Sequence, residues 1–341
     1  MRTSRFRSAA LLLISACSRV EPPPQAVLDA SMRRVADQWL AAHADPGPAS
    51  WNAGVHYQGL TALYRETRDA RYFDRVHQWG VANGWQPYGG VVTQDADSTV
   101  CGMAYWDQQE AGDPSAVIAN VEPSILAQRD ATYGWIDLFF MGFPLSARYG
   151  HATGDTSMFD GVNRIFAADR AALYDPAQQL WWRDGSWSGS GVYWSRGNGW
   201  VLAGLAGALE WMPQNGDIVA VAKSMAGRLR VLQGADGLWR SALIPADGYD
   251  SSSPEASGTA LDTLAIAKLV RLGLLDRATW LPVANAAWSG LASVAVQADG
   301  TLGYCQPGSD RPSARALTSS DTADFCVGAF LLAGSELSRL R

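Results

Sequence analysis

Residues 133–149 read Tyr-Gly-Trp-Ile-Asp-Leu-Phe-Phe-Met-Gly-Phe-Pro-Leu-Ser-Ala-Arg-Tyr. Wound as a helix, this stretch puts apolar side chains on nearly every face. The same holds for 196–208, Arg-Gly-Asn-Gly-Trp-Val-Leu-Ala-Gly-Leu-Ala-Gly-Ala. A helix that is apolar all round is buried on both sides, which is the condition of inner helices in a closed ring. Working outward, helical periodicity recurs along the chain and the segments arrive in pairs. The spacing predicts helices at 25–43, 51–67, 70–83, 97–110, 115–129, 133–149, 156–173, 196–212, 216–233, 257–273, 277–297 and 322–340. Breaks rich in Gly, Pro and Asp separate them, such as Asp45-Pro46-Gly47-Pro48 and Gln214-Asn215-Gly216-Asp217. Val, Ile and Thr do not cluster in alternating runs, so a sheet core is not expected, only short strands around 180–194. Twelve helices make six hairpins, and the expectation is an all-α fold, an (α/α)6 barrel. An open α-solenoid is the alternative, but the chain shows no fixed-period repeat.

The 341 residues are 48% hydrophobic and 18% charged, enough apolar content to build a large core and too much for disorder. Arg2, Arg5 and Arg7 precede the apolar run Ala9 to Ile14 and then Ser15-Ala16-Cys17. That is the layout of a signal peptide. The run is too short to span a bilayer. Ile14-Ser15-Ala16-Cys17 resembles a bacterial lipobox, which assigns 1–16 to a lipoprotein signal and implies lipidation of Cys17. Ser18 after the Cys favours the outer membrane, and 17–30, with Glu21-Pro22-Pro23-Pro24, reads as a short stiff tether. Residues 31–341 then form one domain. The expected location is periplasmic or outer-membrane-anchored. Removing 1–16 takes away three Arg and no acid, moving the formal charge from −6 to −9, which argues against nucleic acid as a partner. Of the remaining cysteines Cys101, Cys305 and Cys326, an odd number leaves at least one free thiol; Cys305 and Cys326 are able to pair in an oxidising compartment, though their separation does not show it. The four His lack metal-ligand spacing, and neither a metal nor a cofactor is expected. The oligomeric state is not readable.

Chemistry concentrates in a few places. In Tyr193-Trp194-Ser195-Arg196-Gly197-Asn198-Gly199-Trp200 an arginine stands between two tryptophans. A guanidinium grips a carboxylate with two parallel hydrogen bonds, and indole faces offer flat walls for a sugar ring. The competing reading is that Trp194, Arg196 and Trp200 simply pack a helix start. Asp137 lies alone among large apolar residues, a setting that raises a carboxyl pKa and suits a general acid; otherwise it is a helix cap or a satisfied buried Asp. Asp97 is a second candidate acid, with a capping pattern of its own. Glu255 either caps the helix that follows it or meets a ligand. Arg183 either binds a carboxylate or pairs with Asp184.

The motifs YWSRGNGW, GWIDLFFM, PEASGTA and DFCVGAFLLAGSE, in this order, resemble glycoside hydrolase family 105, the unsaturated glucuronyl/rhamnogalacturonyl hydrolases related to family 88. The resemblance runs from about residue 50 to the end and implies the same (α/α)6 barrel. It also implies a substrate: an oligosaccharide left by a polysaccharide lyase, ending in a C4=C5 unsaturated uronic acid. An aspartate protonates C4 of the vinyl ether, water adds at C5, and the hemiketal opens and releases the sugar. By motif position Asp137 is that acid, Asp97 falls near the second pocket carboxylate, and Trp194, Arg196 and Trp200 fall on the substrate-binding set, with Asn198, Arg183 and Glu255 as further candidate contacts. The chain departs from ADDxCxGQxY at Ser98 and Met103, and has Arg183 where some members carry histidine; these three positions are expected to line the pocket. An ordinary glycosidase pairing Asp137 with Asp97 or Glu255, and a non-catalytic glycan-binding lipoprotein, are the competing functions.

Overall fold

Capping residues set where the helices begin. In the computed structural model, which describes residues 20–341, the Ser50 side chain accepts from Ala53 N to open α2 (Trp51–Thr67). Asp69 does the same for α3 (Ala70–Ala82), Asn215 for α10 (Gly216–Leu232) and Asp276 for α12 (Arg277–Gly290). Each satisfies an amide that the first turn leaves without a partner. The remaining helices are α1 (Gln25–Ala42), α4 (Ala96–Thr99), α5 (Cys101–Glu110), α6 (Glu122–Gln128), α7 (Leu138–Thr153), α8 (Ser157–Leu173), α9 (Ser195–Leu209), α11 (Ala256–Arg271) and α13 (Asp324–Ser338).

Helices α2, α5, α7, α9, α11 and α13 contact one another in sequence, and α13 returns to α2. Helices α1, α3, α6, α8, α10 and α12 pack outside them. This is the expected (α/α)6 barrel. The two all-apolar stretches became α7 and α9, adjacent in the inner ring. Glycine permits the closest approaches: a Cβ at Gly204 of α9 would lie 2.4 Å from the Phe139 backbone of α7, and one at Gly59 of α2 would lie 2.5 Å from the carbonyl of Gly328 on α13. The expected strands reduce to a two-residue ladder, β1 (Tyr174–Asp175) with β2 (Leu180–Trp181).

Several boundaries differ from expectation. The helix expected at 97–110 is broken at Val100 into α4 and α5, and the one expected at 277–297 ends as α12 at Gly290, before a separate turn at Leu291–Ala295. The helix expected at 115–129 shortens to α6, after a single turn at Ile118–Asn120. The helix expected at 133–149 starts only after Asp137, because Gly134 takes a positive φ of 81° and turns the chain. The tether drawn over 17–30 is not free where it is described: α1 begins at Gln25, Pro22 is buried, and Asn285 and Arg341 donate to the carbonyls of Glu21 and Pro23. Cys17 lies outside the described residues.

Cys305 and Cys326 form a disulfide, 21 residues apart, while Cys101 is free and buried. The bridge ties the loop after residue 305 to the first turn of α13. Shortening the loops open to the unfolded chain stabilises the fold.

The inner helices run the same way, so their ends form two mouths. At the C-terminal mouth a cavity of about 450 Å³ is walled by Gln58, Met103, Phe140, Trp211 and a set of charged side chains. Nearly all of the charge is paired. Arg65 and Arg148 both bridge Asp107 and Glu110 at 2.7–3.2 Å. Lys268 and Arg271 bridge Glu210 and Glu336, with Arg339 joining from outside. Cations in the last turns also suit the negative end of each helix.

Candidate active site

The N-terminal mouth collects the first residues of the inner helices. Trp51 opens α2, Asp97 lies in α4, Asp137 immediately precedes α7, and Trp194 immediately precedes α9, which carries Arg196 and Trp200. Two extended segments cross beside them: Trp135 bridges Asp184, and Ile136 N donates to the carbonyl of Arg183 at 3.0 Å. That crossing delivers Arg183 to Asp137. All of these except Ile136 and Asp184, together with Met141, Ser309 and Asp310, line a cavity of about 190 Å³. This is below the roughly 300–1,000 Å³ of pockets for drug-sized ligands, so it has room for a single sugar ring rather than a chain. Several helix N-termini point their positive ends at this mouth and favour an anionic guest.

Asp137 has 16% of its side chain exposed, and Arg183 Nε is 3.4 Å from its Oδ2. Neither atom has a hydrogen-bond partner within the protein, so this is a charge contact at the edge of hydrogen-bond range. Burial pushes the Asp137 carboxyl above the usual carboxylate range, while Arg183 and Arg196 pull against the shift. Asp97 is pushed up to about 7, first by burial, then by Asp137 and Asp95, with Arg183 opposing. Two neighbouring acids, both shifted upward by burial, are the setting in which a carboxyl can serve as a proton donor.

Arg183 is the pocket cation with capacity to spare. Its Nη1 holds Asp184 at 2.8 Å, its guanidinium lies 4.7 Å from the Trp135 ring, and Nε is unpartnered. The two sequence readings of Arg183 therefore combine, pairing with Asp184 while facing the pocket.

Arg196 is different, and the expected carboxylate fork is not what its side chain makes. It is 1% exposed and sandwiched between Trp194 and Phe325 at 4.5 and 4.8 Å. Its Nη1 donates to the carbonyl of Gln306 and its Nη2 to those of Pro307 and Ser309. Arg196 thus holds the loop that presents Ser309 and Asp310, and only Nε is left unpartnered. Burial pulls its pKa down to about 10, with Glu255 and Asp137 opposing.

Two further candidates move out of the site. Asn198 is fully buried, and its amide spans the backbone of Trp181 and the carbonyl of Trp194. Glu255 is fully buried too. It caps α11 by accepting from Ser257 N and Gly258 N, and it also accepts from Gln306 N. Of the three departures from the family pattern only Arg183 lines this pocket. Met103 faces the other cavity, and Ser98 donates to Asp95 beside the pocket without lining it.

Trp51, Trp135, Ser309 and Asp310 line the pocket without having been singled out from sequence. Trp51 had a faint signal, a large aromatic just after a capping Ser. Ser309 and Asp310 had none, since their loop reaches the pocket only through Arg196.

Residues 25–341 match the model of Glycosyl Hydrolase Family 88. The chain belongs to that family. Among relatives in this neighbourhood, an unsaturated 3S-rhamnoglycuronyl hydrolase of Formosa agariphila is 29% identical, over 89% of this chain and 88% of its own. A solved structure described as a polysaccharide lyase is 26% identical with a TM-score of 0.82, covering 92% of this chain and 97% of its own. A family 105 glycoside hydrolase of C. acetobutylicum, 21% identical, shares the fold with a TM-score of 0.74 over 91% of this chain and 99% of its own. Membership in family 88 agrees with the motif reading, which placed the chain in 105 with 88 as its relative. It makes this protein a glycoside hydrolase, and the Trp-lined pocket is where such chemistry fits.

Proposed function

We propose that this family 88 protein releases the terminal C4=C5 unsaturated uronic acid from lyase-generated oligosaccharides. One observation carries the reading: a partly exposed aspartic acid, Asp137, raised by burial above the usual carboxylate range, lines a one-sugar pocket and touches an arginine with an unused donor.

The uronate ring lies among Trp51, Trp135, Trp194 and Trp200, with its carboxylate received by Arg183 and by the positive helix ends. Asp137 gives its proton to C4 of the vinyl ether. The cation that develops at C5 is shared with the ring oxygen. Water adds there and gives its proton to the Asp137 carboxylate, leaving a hemiketal at C5 and restoring the acid. The hemiketal opens to a C5 ketone, C1 becomes an open hemiacetal, and that collapses to an aldehyde and the free leaving sugar. Protonating carbon is slow in water, so a desolvated acid fixed against the double bond lowers the barrier. Asp97, when ionised, faces the charge that develops.

The relative described as a polysaccharide lyase favours a second reading, β-elimination from a saturated uronate. The two differ in the sign of one signal. Hydration removes the ultraviolet absorbance of the conjugated C4=C5 bond, whereas elimination creates it. We expect absorbance to fall on unsaturated oligosaccharides and to stay flat on saturated ones; a rise on saturated uronate polymers would establish the lyase.

The amino-terminal lipobox and the disulfide between Cys305 and Cys326 support export to an oxidising compartment and anchoring through a lipid on Cys17. Labelling cells with a radioactive fatty acid should mark the wild type and not Cys17→Ala; equal label in both would remove the anchor.

A further inference from the structure

Beyond the pocket lies a cluster that the reaction at Asp137 does not use. The turn at Gly185–Trp187 is fixed by Asp184, whose Oδ1 accepts from Ser186 N and whose carbonyl accepts from Trp187 N. The other oxygen of Asp184 holds Arg183, so Trp187 is set directly from a pocket residue. Its ring meets Tyr249 edge-to-face at 6.1 Å, and the guanidinium of Arg311 lies 5.6 Å from its centroid. Arg311 grips Asp310 with Nε and Nη2 at 2.7 and 3.0 Å, and Asp310 lines the pocket. The segment with Tyr249 joins the same assembly, because Asp250 N donates to the carbonyl of Ser313 at 2.7 Å. Three loops thus build one half-buried aromatic shelf, continuous with the pocket through Arg183 and Asp310. Arg311 and Asp310 are about half exposed, so their outer edges are open to a guest.

We propose that Trp187, Tyr249 and Arg311 form the subsite for the leaving sugar, the one attached to C1 of the uronate, and that it selects a neutral sugar over a sulfated one. This rests on the functional reading above. The pocket holds one ring, so the next ring must emerge at its rim. The apolar face of a pyranose stacks on an indole. The Arg311–Asp310 pair offers donors and an acceptor side by side, which matches ring hydroxyls. An unpaired arginine would welcome a sulfate, but here the fork is already taken by a carboxylate, and a sulfate placed there would face the Asp310 charge.

The test uses three unsaturated uronides in the absorbance assay: a methyl glycoside, a disaccharide with a neutral leaving sugar, and the same disaccharide sulfated on that sugar. For Trp187→Ala we expect KM on the neutral disaccharide to rise roughly fivefold with kcat little changed, while kcat/KM on the methyl glycoside stays within twofold. Trp187→Phe should restore most of the loss, and Arg311→Gln should narrow the gap between neutral and sulfated disaccharides. Equal losses on methyl glycoside and disaccharide would make Trp187 merely structural and overturn the subsite. A wild-type preference for the sulfated disaccharide would overturn its selectivity. If wild type turns over none of the three, the functional reading itself has failed and the subsite falls with it.

Discussion

The two mouths of the barrel treat buried carboxylates in opposite ways. At the C-terminal mouth burial alone would raise Glu210, but Lys268, Arg271 and Arg339 outweigh it and hold the carboxyl at about 2. At the N-terminal mouth burial wins, and Asp97 is pushed up to about 7 with Asp137 raised beside it. The larger cavity, about 450 Å³, belongs to the first and the smaller, about 190 Å³, to the second. Size therefore does not locate the chemistry; unspent ionisation does. A charge already neutralised by good partners has little left to give a substrate. An acid whose carboxyl is raised by burial, beside a guanidinium whose Nε is unspent, can act on one.

Substitutions sharpen this contrast. The largest effect is expected at Asp137. Asp137→Asn keeps shape and removes the proton, so turnover should drop by about 10³-fold or more, with the melting temperature nearly unchanged. Near-normal kcat would move the acid elsewhere.

Arg183→Ala comes next. Losing a cation that receives the substrate carboxylate should lower kcat/KM roughly a hundredfold, mostly through KM. It also has a signature in pH. Arg183 opposes the upward shift of Asp137, so without it the Asp137 pKa rises further. The reaction uses the protonated acid, hence the fall in rate on the alkaline side should move to higher pH. A pH–rate profile that does not move would separate Arg183 from Asp137.

Arg196→Lys probes the loop. A lysine cannot reach three carbonyls at once, and stranded buried carbonyls cost about 1–3 kcal/mol. We expect a lower melting temperature together with a roughly tenfold loss of kcat/KM as Ser309 and Asp310 shift. A large rise in KM at unchanged stability would instead return Arg196 to direct carboxylate binding.

The smallest catalytic effect is expected at the far mouth. Arg148 is 3% exposed and bridges Asp107 and Glu110; Arg148→Met should cost about 2 kcal/mol of stability, less than a full buried-pair loss because Arg65 still holds both acids. Its kcat and KM on unsaturated substrates should stay within about twofold, as expected of a group remote from the chemistry. A kinetic loss comparable to that of Arg183→Ala would erase the distinction between the mouths.

Much of this is legible in the sequence. The apolar faces of 133–149 and 196–208 announced the inner ring, and paired periodic segments gave the barrel. Asp137 stood out because a carboxylate among Trp, Ile, Leu and Phe has few ways to be solvated. What sequence hid was how donors and acceptors are used. Arg196, Asn198 and Glu255 are the right residue types inside the right motifs, yet Arg196 spends its two terminal nitrogens, and Asn198 and Glu255 their side chains, on backbone groups of Gln306, Trp181 and α11. Residue type reveals capacity for hydrogen bonding; only the packed structure reveals what is left over. Asp310 was hidden for the converse reason, as an ordinary loop residue made important by a hook more than a hundred positions away.

The most direct test follows the C4=C5 absorbance of an unsaturated uronic acid methyl glycoside with wild type, Asp137→Asn and Arg148→Met, alongside its saturated counterpart. The account predicts rapid loss with wild type and Arg148→Met, essentially none with Asp137→Asn, and no methanol released from the saturated glycoside. Loss that persists in Asp137→Asn, or methanol from the saturated glycoside, would contradict it.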